Sequence, residues 1–376
     1  MNTDTTRREP VAVAIVGCGR VAYKHFEAVT QMREARLVAV CDIDPERMAA
    51  SAAAHGVPGY TDYHTMLAAH PQIELIHVLV PTGYHAQVVI DLARYGRGIV
   101  VEKPMALTVA DCDAMIAACA HHHAPLYVVY QNRFNTPVQA ARRALEAGRF
   151  GKPVLGTVRV RWARHQDYYE QDHWHGTWAL DGGVMSQQAS HHLDLLQWFM
   201  GPVESVQCQI ATRLLDIEVE DTAAALLRFR SGALGVYEAT VAARPDNLEG
   251  SLSVLGENGS VVIAGIAVNQ LTGWRFVGAD DDPQQVMQAA SEAVKNEYGN
   301  GHARYLKAVI DSLRGAAPHP WLVDGAEGRR NIALLTALYE AAHGGGSVAP
   351  GSPPQHSPLG RVPLSEKPHR VKAAAG

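Results

Sequence analysis

The chain has 376 residues, so we expect about two domains, because one hydrophobic core rarely grows beyond roughly 250–300 residues. Hydrophobic residues make up 47% of the sequence and charged residues 19%, which is typical of a globular protein. The net charge of -5 argues against nucleic-acid binding. No apolar run approaches the roughly 18 residues of a membrane span. We therefore expect a small-molecule partner.

The cysteine pattern and the N-terminus bear on where the protein works. Five cysteines are scattered without a CxxC pair, which indicates neither a disulfide framework nor a zinc site and fits a reducing compartment. The Arg7-Arg8 pair is similar to a twin-arginine export signal, but the apolar run behind it leads straight into a glycine-rich motif. We therefore expect a cytoplasmic protein with a flexible N-terminus over residues 1–10.

Residues 11–147 show the pattern of a dinucleotide-binding Rossmann domain. Short apolar runs alternate with amphipathic ones, which is typical of βαβ units around a parallel sheet. The predicted strands are Val11–Val16, Leu37–Cys41, Leu75–Val80, Ile99–Val101 and Leu126–Tyr130. The predicted helices include Pro45–Ala54, Tyr84–Tyr95, Thr108–Ala120 and Thr136–Ala147, the last two with Thr108 and Thr136 as N-caps.

Residues 148–345 change to a strand-rich pattern with few helices. The predicted strands are Val154–Arg161, Val203–Thr212, Thr222–Phe229, Ala233–Thr240, Ser251–Leu255 and Ser260–Ala264. Hairpin turns join neighbouring pairs, so we expect an α+β domain with a mostly antiparallel open sheet. The predicted helices are Ser186–Met200, Gly301–Leu313 and Gly325–Ala342. Residues 346–376, which lack apolar periodicity, are expected to form a poorly ordered tail.

The first βα turn carries a nucleotide-binding motif. Gly17-Cys18-Gly19-Arg20-Val21-Ala22 is a GxGxxA sequence between a predicted strand and a predicted helix, where a pyrophosphate would meet the helix N-terminus. Asp42 ends the second strand, where its carboxylate would accept hydrogen bonds from the adenosine ribose hydroxyls. Because no arginine directly follows Asp42, NAD is favoured over NADP, although Arg47 lies one helical turn further on. The alternative is that the glycines only shape a tight turn.

A second motif, Glu102-Lys103-Pro104, follows the predicted strand Ile99–Val101 at the carboxyl edge of the sheet, where open α/β sheets bind ligands. At this point the sequence resembles the Gfo/Idh/MocA family of sugar dehydrogenases. The resemblance covers about residues 10–345. It rests on GCGRVA, the EKP triplet, Pro81-Thr82-Gly83-Tyr84-His85, and Gly182-Gly183 followed by His191-His192-Leu193-Asp194.

The resemblance implies an NAD-binding Rossmann domain followed by a C-terminal α/β domain whose open sheet often mediates oligomer contacts, so we expect a homodimer or homotetramer. It also implies that Lys103 and His191 flank the substrate carbon that exchanges hydride with the nicotinamide. The predicted cofactor contacts are Gly17, Gly19, Arg20, Val21, Ala22, Asp42, Arg47, Pro81, Thr82, His85, Glu102, Lys103 and Gln131. Glu102 has two interpretations, a contact to the nicotinamide ribose or a local hydrogen-bond anchor.

The chemistry of alcohol oxidation gives an independent reason for pairing these two residues. A base must take the hydroxyl proton while hydride leaves, and histidine has the pKa for that task. Lys103 can polarise or orient the same oxygen, and burial beside a positively charged ring should lower its pKa. Many relatives carry an aspartate four residues before the histidine, where this chain has Gln187, which makes His191 the favoured base. The alternative is that His191 is a core histidine.

Other polar residues are predicted to contact the substrate. Arg133 follows the strand Leu126–Tyr130, and the segment from Arg161 to Trp178 is dense in aromatic and hydrogen-bonding side chains that suit sugars. The predicted substrate contacts are Lys103, Arg133, Arg164, Tyr168, Trp178, Gln187 and His191. The alternatives are a surface ion pair for Arg133 and domain packing for about half of that segment. No metal is predicted, because the histidines at 121–123, 173 and 175 have no third ligand fixed by spacing.

Local patterns narrow the predicted substrate within the family. Gln131-Asn132-Arg133-Phe134-Asn135, Tyr168-Tyr169 and Trp174-His175-Gly176-Thr177-Trp178 look most like the branch of UDP-N-acetylglucosamine or UDP-N-acetylglucosaminuronate 3-dehydrogenases. This similarity predicts an NAD-dependent enzyme that oxidises C3 of such a sugar nucleotide. The alternatives are an inositol or other sugar dehydrogenase, an NAD-dependent glycosidase that oxidises transiently, and a nonenzymatic NAD sensor, for which Lys103 and His191 would be unnecessary.

Overall fold

The computed structural model describes residues 9–278 and 280–361, which form two seven-stranded sheets with helices packed around them. In chain order, the strands are β1 (Val11–Val16), β2 (Ala35–Cys41), β3 (Gly59–Tyr60), β4 (Leu75–Val78), β5 (Gly98–Val101), β6 (Leu126–Val128), β7 (Pro153–Arg161), β8 (Val203–Ala211), β9 (Thr222–Phe229), β10 (Leu234–Thr240), β11 (Glu249–Gly256), β12 (Gly259–Ala264), β13 (Gln270–Phe276) and β14 (Val323–Asp324). The helices are α1 (Ala22–Thr30), α2 (Pro45–His55), α3 (Tyr63–Ala69), α4 (His85–Ala93), α5 (Val109–His121), α6 (Thr136–Glu146), α7 (Gln166–Tyr169), α8 (Ser190–Met200), α9 (Pro283–Ala290), α10 (Gly301–Leu313) and α11 (Gly325–Gly344).

The first sheet has the order β14-β6-β5-β4-β1-β2-β3 and is parallel except at β14, which confirms the predicted Rossmann sheet. All six residues of β1 are buried, as expected for a central strand covered by helices on both faces. The strand order reverses between β1 and β4, which forms a crevice at the carboxyl ends of these strands. Open α/β sheets bind ligands in such a crevice.

The second sheet has the order β13-β12-β11-β7-β10-β9-β8. Its pairs are antiparallel except for β7 with β10, so the predicted mostly antiparallel sheet is confirmed. Buried and exposed residues alternate along β9, which leaves one face in solvent. The other face packs on α8 and α11, which join the two sheets into one continuous core. After the second sheet the chain returns to the first sheet and adds β14 to its edge. The predicted domain boundary did not anticipate this return.

Helix α8 starts at Ser190, four residues later than the predicted start at Ser186. The preceding residues form turns that are tied to the chain just before β9, because the Val184 and Met185 N–H groups donate to the backbone and side chain of Glu220. The Thr108 side chain caps α5 as predicted, whereas the N-cap of α6 is Asn135 and not Thr136. Sequence patterns also missed α3, α9 and β13.

The predicted poorly ordered tail is wrong for the part that the structure describes. Val348 exchanges backbone hydrogen bonds of 2.8 and 2.9 Å with Val206, and Leu359 is buried. The Glu340 carboxylate accepts three consecutive backbone N–H groups from residues 355–357, which fixes the chain without any apolar periodicity. Residues 1–8 of the predicted flexible N-terminus and residues 362–376 of the tail lie outside the described residues. None of the described helices is long and apolar enough to cross a membrane.

Candidate active site

The turn after β1 has the geometry of a dinucleotide-binding loop. Gly17 has a φ of 96°, and an added Cβ would lie 2.7 Å from the Leu79 carbonyl carbon, so only glycine fits there. Gly19, by contrast, has no atom within 4 Å of an added Cβ, which leaves its surface free for close approach of a ligand. Val21 is the N-cap of α1, and no side chain caps this helix end, so the start of α1 follows the glycine turn directly.

Asp42 follows β2 and lies against this turn. The buried carboxylate accepts hydrogen bonds of 2.7 Å from the Cys18 N–H and 2.9 Å from the Asp44 N–H. The Arg47 guanidinium is half exposed and lies 3.9 Å from Asp42 and 3.5 Å from Asp44, so its charge is already shared by two carboxylates. The residues present therefore fit a dinucleotide with an unphosphorylated adenosine ribose.

The turn between β4 and α4 carries three further predicted cofactor residues. The buried Thr82 hydroxyl accepts a 3.1 Å hydrogen bond from the Gln187 amide, and Pro81 precedes it at the start of a 3-10 turn. Both ring nitrogens of His85 face backbone carbonyls, at 2.9 Å from Val80 and 3.0 Å from Pro104. His85 thus ties this turn to the chain after Lys103, and its ring nitrogens are occupied by protein.

Glu102 and Lys103 leave β5 in different directions. The buried Glu102 carboxylate accepts hydrogen bonds of 2.9 Å from His25 and 3.0 Å from the Lys103 backbone N–H, which matches a hydrogen-bond anchor. Burial alone would raise the pKa of Glu102, but the hydrogen bond and charge of His25, together with Lys103, lower it to about 2. The Lys103 ammonium nitrogen reaches the Gln187 backbone oxygen at 3.0 Å and its side-chain oxygen at 3.4 Å.

His191 lies in the first turn of α8 and is buried. Its Nε2 atom is 3.3 Å from the Gln131 amide nitrogen, and the Tyr130 ring packs edge-on against it at 5.7 Å between centroids. Nδ1 of His191 and Oε1 of Gln131 have no hydrogen-bond partner among the described residues. Burial first and the charge of Lys103 second hold the pKa of His191 well below its usual range, so the ring is neutral and can accept a proton.

Several buried polar residues of this region were missed by sequence reasoning. His25, from α1, lies with Nδ1 3.0 Å from Nδ1 of His77, which interrupts the apolar strand β4. His302 from α10 completes the group, since one ligand atom each from His25, Glu102 and His302 lies within 4.8 Å of the others. The carboxyl of Asp181 is also buried near Lys103. These residues come from separate segments, so no motif spacing connects them.

Arg133 lies in a buried cluster of charged residues. Its guanidinium forms a two-pronged ion pair with Asp194 of α8 and a 2.9 Å bond to Glu327 of α11, and it lies over the Trp198 ring. The side chain is 2% exposed and forms a buried ion pair that joins helices, whereas the sequence predicted a substrate contact or, as the alternative, a surface ion pair. The side chain of Gln131, which lies in the same turn, contacts His191.

The predicted sugar-binding segment divides into two groups. Arg164 donates to Glu297 at 2.8 Å and lies over the Tyr168 ring, and Arg20 covers the same ring at 4.7 Å while donating to Gln171. These residues join the cofactor turn to the second domain. Trp178 packs edge-on against Tyr339 and His343 of α11, away from that group.

The arrangement can support removal of a proton from an alcohol beside a dinucleotide. The half-buried Lys103 and the neutral His191 lie close enough for the lysine charge to lower the pKa of the histidine. Burial likewise lowers the pKa of Lys103, against the opposing charges of Glu102 and Asp181. A base without a proton next to a second hydrogen-bond donor is what alcohol oxidation requires.

Family comparisons match both halves of the chain. Residues 11–130 match the model described as "Oxidoreductase family, NAD-binding Rossmann fold", and residues 138–262 match the GFO/IDH/MocA C-terminal domain.

Comparisons with single proteins agree with these family matches. The WlbA dehydrogenase from Bordetella pertussis, solved with NADH and UDP-GlcNAcA, is 39% identical with a TM-score of 0.84, over 91% of this chain and 98% of that chain. The WlbA dehydrogenase from Chromobacterium violaceum, solved with the same two ligands, is 37% identical with a TM-score of 0.83, over 96% and 98%. A D-apiose dehydrogenase from Paraburkholderia graminis is 27% identical over 93% of this chain and 92% of the relative.

Proposed function

The chain belongs to the Gfo/Idh/MocA family of NAD-dependent oxidoreductases acting on sugars and polyols, and from this premise we propose that it oxidises the C3 hydroxyl of a UDP-N-acetylglucosamine-type sugar nucleotide. The observation that carries the proposed chemistry is the pair of the buried His191 and the half-buried Lys103 at the edge of the dinucleotide site. The likeness to two proteins crystallised with UDP-GlcNAcA, at 39% and 37% identity, supports the choice of sugar.

In this proposal His191 is the general base. Its unprotonated ring accepts the proton of the C3 hydroxyl, and the Gln131 amide next to Nε2 holds the ring in place. Bound NAD supplies the hydride acceptor for the hydrogen on C3. Lys103 donates a hydrogen bond to the same hydroxyl oxygen and polarises the carbonyl that forms, while Gln187 holds its ammonium group.

The cofactor contacts are proposed on the same geometry. The open surface of Gly19 and the start of α1 receive the pyrophosphate, and Asp42 receives the adenosine ribose hydroxyls. The turn that begins at Pro81 and Thr82 lies against residues 179–180, since the Gly83 N–H donates to the Leu180 oxygen at 3.0 Å. We propose residues 11–147 as the NAD-binding domain and residues 148–345 as the substrate domain.

On the substrate side, Arg164 and Tyr168 are proposed to contact the sugar nucleotide. Arg164 is close enough to Lys103 to affect its pKa, and its Nε has no hydrogen-bond partner among the described residues. A guanidinium in this place suits an anionic group of the substrate. Trp178 has a weaker case, because its ring packs on α11.

A sugar or cyclitol dehydrogenase acting on a free substrate is the second candidate. The apiose dehydrogenase above matches along most of the chain, and a myo-inositol 2-dehydrogenase from Thermotoga maritima is 28% identical over 60% of this chain. The chemistry needs only a secondary hydroxyl, so the same pair of residues would serve.

Absorbance of NADH separates these candidates. The purified protein would be incubated with NAD and, in turn, UDP-GlcNAcA, UDP-N-acetylglucosamine, myo-inositol and D-apiose. We expect NADH with the sugar nucleotides and far lower rates with the free polyols. Efficient reduction with only a free polyol would favour the second candidate, and release of free sugar without NADH would indicate a glycosidase that oxidises transiently.

Self-association is proposed through the solvent face of the second sheet. Large apolar side chains are exposed there on two neighbouring strands, with Leu226 at 59% and Leu234 at 51% exposure. An apolar sheet face of this kind is typical of an oligomer contact. Light scattering that gives a monomer at micromolar concentration would contradict this proposal.

A further inference from the structure

Three buried side chains form a hydrogen-bonded row that ends at the backbone of Lys103. Nδ1 of His77 lies 3.0 Å from Nδ1 of His25, and Nε2 of His25 lies 2.9 Å from Oε1 of Glu102. Oε2 of Glu102 accepts a 3.0 Å hydrogen bond from the Lys103 backbone N–H. His77, His25 and Glu102, which we call the buried polar row, are at most 6% exposed, so water does not compete for these hydrogen bonds.

The members of the buried polar row come from three different elements. His77 lies in β4, His25 lies on α1, and Glu102 directly follows β5. The backbone N–H of Glu102 donates to the Val78 oxygen at 3.0 Å, so the two strands fix the ends of the row relative to each other. His25 bridges these two ends from α1.

The sheet itself gives no reason for a histidine at position 77. The other residues of β4 are apolar and all four are buried, and an apolar side chain would fill this place without the cost of burying ring nitrogens. Nε2 of His77 has no hydrogen-bond partner among the described residues, so part of that cost is not recovered. The hydrogen bond to His25 is therefore the contact that explains the histidine in this strand.

The proton positions in the row keep the Glu102 carboxylate ionised. Burial would raise the pKa of Glu102, but its hydrogen bond to His25 lowers it to about 2, so Oε1 accepts and Nε2 of His25 carries the proton. One proton lies between the two Nδ1 atoms, because two N–H groups or two lone pairs would repel each other. Nε2 of His77 has no partner among the described residues, so the row is a support and not a path for protons.

Glu102 in turn fixes where the Lys103 side chain starts. The half-buried Lys103 extends from this held backbone to the Gln187 backbone oxygen at 3.0 Å and side-chain oxygen at 3.4 Å. Both contacts are to uncharged groups, and no ion pair among the described residues holds the ammonium group. Its position therefore depends on the backbone from which the side chain extends. A shift of about 1 Å at a reacting group can cost about 10²-fold in rate.

We propose that His25 and His77 are positioning residues for the reaction, which act through a buried carboxylate to hold Lys103 in place. The inference rests on the proposed role of Lys103. His77 orients the His25 ring, and the ring donates to Glu102. Glu102 then holds the Lys103 backbone, which keeps the ammonium group at the substrate oxygen. Neither histidine gives or takes a proton during turnover.

The first test compares two substitutions of His25. His25→Gln keeps an N–H that can reach Glu102, whereas His25→Leu removes the donor. The leucine variant should lower kcat with the sugar nucleotide by up to about 10²-fold, because Lys103 is misplaced at the reacting atoms. The KM for the sugar nucleotide should change little, since the rest of the substrate is bound elsewhere. The glutamine variant should recover most of the lost kcat.

Substitutions of His77 extend the same comparison to the end of the row. An asparagine N–H can still reach Nδ1 of His25, so His77→Asn should keep more of the wild-type kcat than His77→Leu. His77→Leu also replaces His25→Leu in the kinetic tests if the latter variant does not fold.

His302 provides the matched control. Its ring packs edge-on against His25, with 5.7 Å between ring centroids, but its Nδ1 has no hydrogen-bond partner among the described residues. His302→Phe removes a buried imidazole from the same place and keeps a ring against His25, so kcat should stay close to wild type. A loss of kcat in His302→Phe as large as that in His25→Leu would overturn the inference, because ring packing and not the row would be responsible.

A second test asks whether His25 acts through Lys103. In a Lys103→Met background the lysine is gone, so His25→Leu should cause no further loss of kcat, because groups that act as a unit are not additive. A purely structural role for His25 predicts instead that the two losses multiply. Losses that multiply in the double variant would therefore overturn the inference.

A third readout needs neither cofactor nor substrate. The Nε2–H of His25 is buried and bonded to a carboxylate, so it should give a slowly exchanging signal in the proton–nitrogen NMR spectrum of the full-length protein with isotope-labelled histidine. The signal that disappears in His25→Gln is assigned to this group, and Glu102→Ala should remove its protection from exchange.

Absence of this signal from wild type, or a normal kcat in His25→Leu, would overturn the inference. Failure of wild type to reduce NAD with any sugar would instead refute the proposed function, and the NMR signal would still report whether the buried polar row is formed.

Discussion

At the scale of single residues, His191 and Lys103 carry the proposed chemistry. Among the described residues neither side chain has a charged partner in direct contact, and burial lowers both pKa values, which leaves the His191 ring unprotonated. The flanking Gln131 and Gln187 supply dipoles without adding charge. Neutral amide groups therefore contact the two reactive side chains. Among the described residues, no carboxylate contacts the Lys103 ammonium group or the His191 ring directly.

Replacing His191 with alanine should lower kcat far more than it weakens NAD binding. A general base contributes about 10²–10⁴-fold, and that is the loss we expect in kcat. Lys103→Met should give a loss of the same order. Stopped-flow rates with NAD titration by protein fluorescence would measure both quantities, and near-normal turnover in His191→Ala would mean that another group, such as Tyr168 or His165, is the base.

Glu220 gives a pH prediction that is independent of activity. Burial raises its pKa to about 7, against hydrogen bonds from the Met185 N–H and the Tyr339 hydroxyl. A raised carboxyl pKa stabilises the fold below the unfolded value near 4.5, and this stability is lost as pH rises through about 7. The loss is on the order of 3 kcal/mol.

Denaturant unfolding at several pH values would test this. Glu220→Gln should unfold with much less pH dependence than wild type between about pH 5 and pH 8. Glu204→Gln, at an exposed position of β8, is the matched control and should follow the wild-type curve. A Glu220→Gln curve parallel to wild type would contradict the account.

At the scale of elements, the helices α8 and α11 are joined by a buried charge cluster. Asp194 accepts from Arg133 and, at 2.7 Å, from the Asn331 amide of α11. Arg133 lies in the turn after β6, and Asp194 lies on α8, which packs on the second sheet. The cluster therefore ties the turn after β6 to the second sheet. Gly328 of α11 also lies close to β6, since an added Cβ would meet Val128 at 2.8 Å.

Arg133→Met should destabilise the protein by about 3–5 kcal/mol, because Asp194 would be left as a buried charge without its cation. Arg94→Met is the control, since Arg94 is 55% exposed and its pair with Asp91 should be worth about 1 kcal/mol or less. Equal midpoints in guanidinium unfolding for the two variants would show that the buried pair is not a structural link.

Sequence patterns were most reliable where a residue's role follows from local backbone. Gly17, the Thr108 cap and the strand Thr222–Phe229 were all located correctly, because positive φ, capping and alternation are local properties. The buried ion pair of Arg133 could not be predicted, because the end of a strand fixes the position of the backbone and not the direction of a long side chain. His25 and His77 were missed, since they meet only through a fold that joins residues 52 positions apart.

At the scale of the whole molecule, the two halves of the chain contribute different parts of the proposed active site. The half built on the first sheet provides the dinucleotide turn and the sheet edge that carries Lys103. The half built on the second sheet provides α8 with His191 and the loop with Asp181. The proposed reaction therefore depends on how the two halves pack, which explains why so many buried polar contacts cross between them.

The most direct test of the central claim is the fate of the hydrogen on C3. UDP-GlcNAcA deuterated at C3 would be incubated with the protein and NAD, and the reduced cofactor analysed by mass spectrometry. The account predicts that the deuterium appears in NADH and that turnover slows relative to unlabelled substrate. NADH that carries no deuterium, or no NADH from UDP-GlcNAcA with a preparation that does reduce NAD with a free cyclitol, would contradict it.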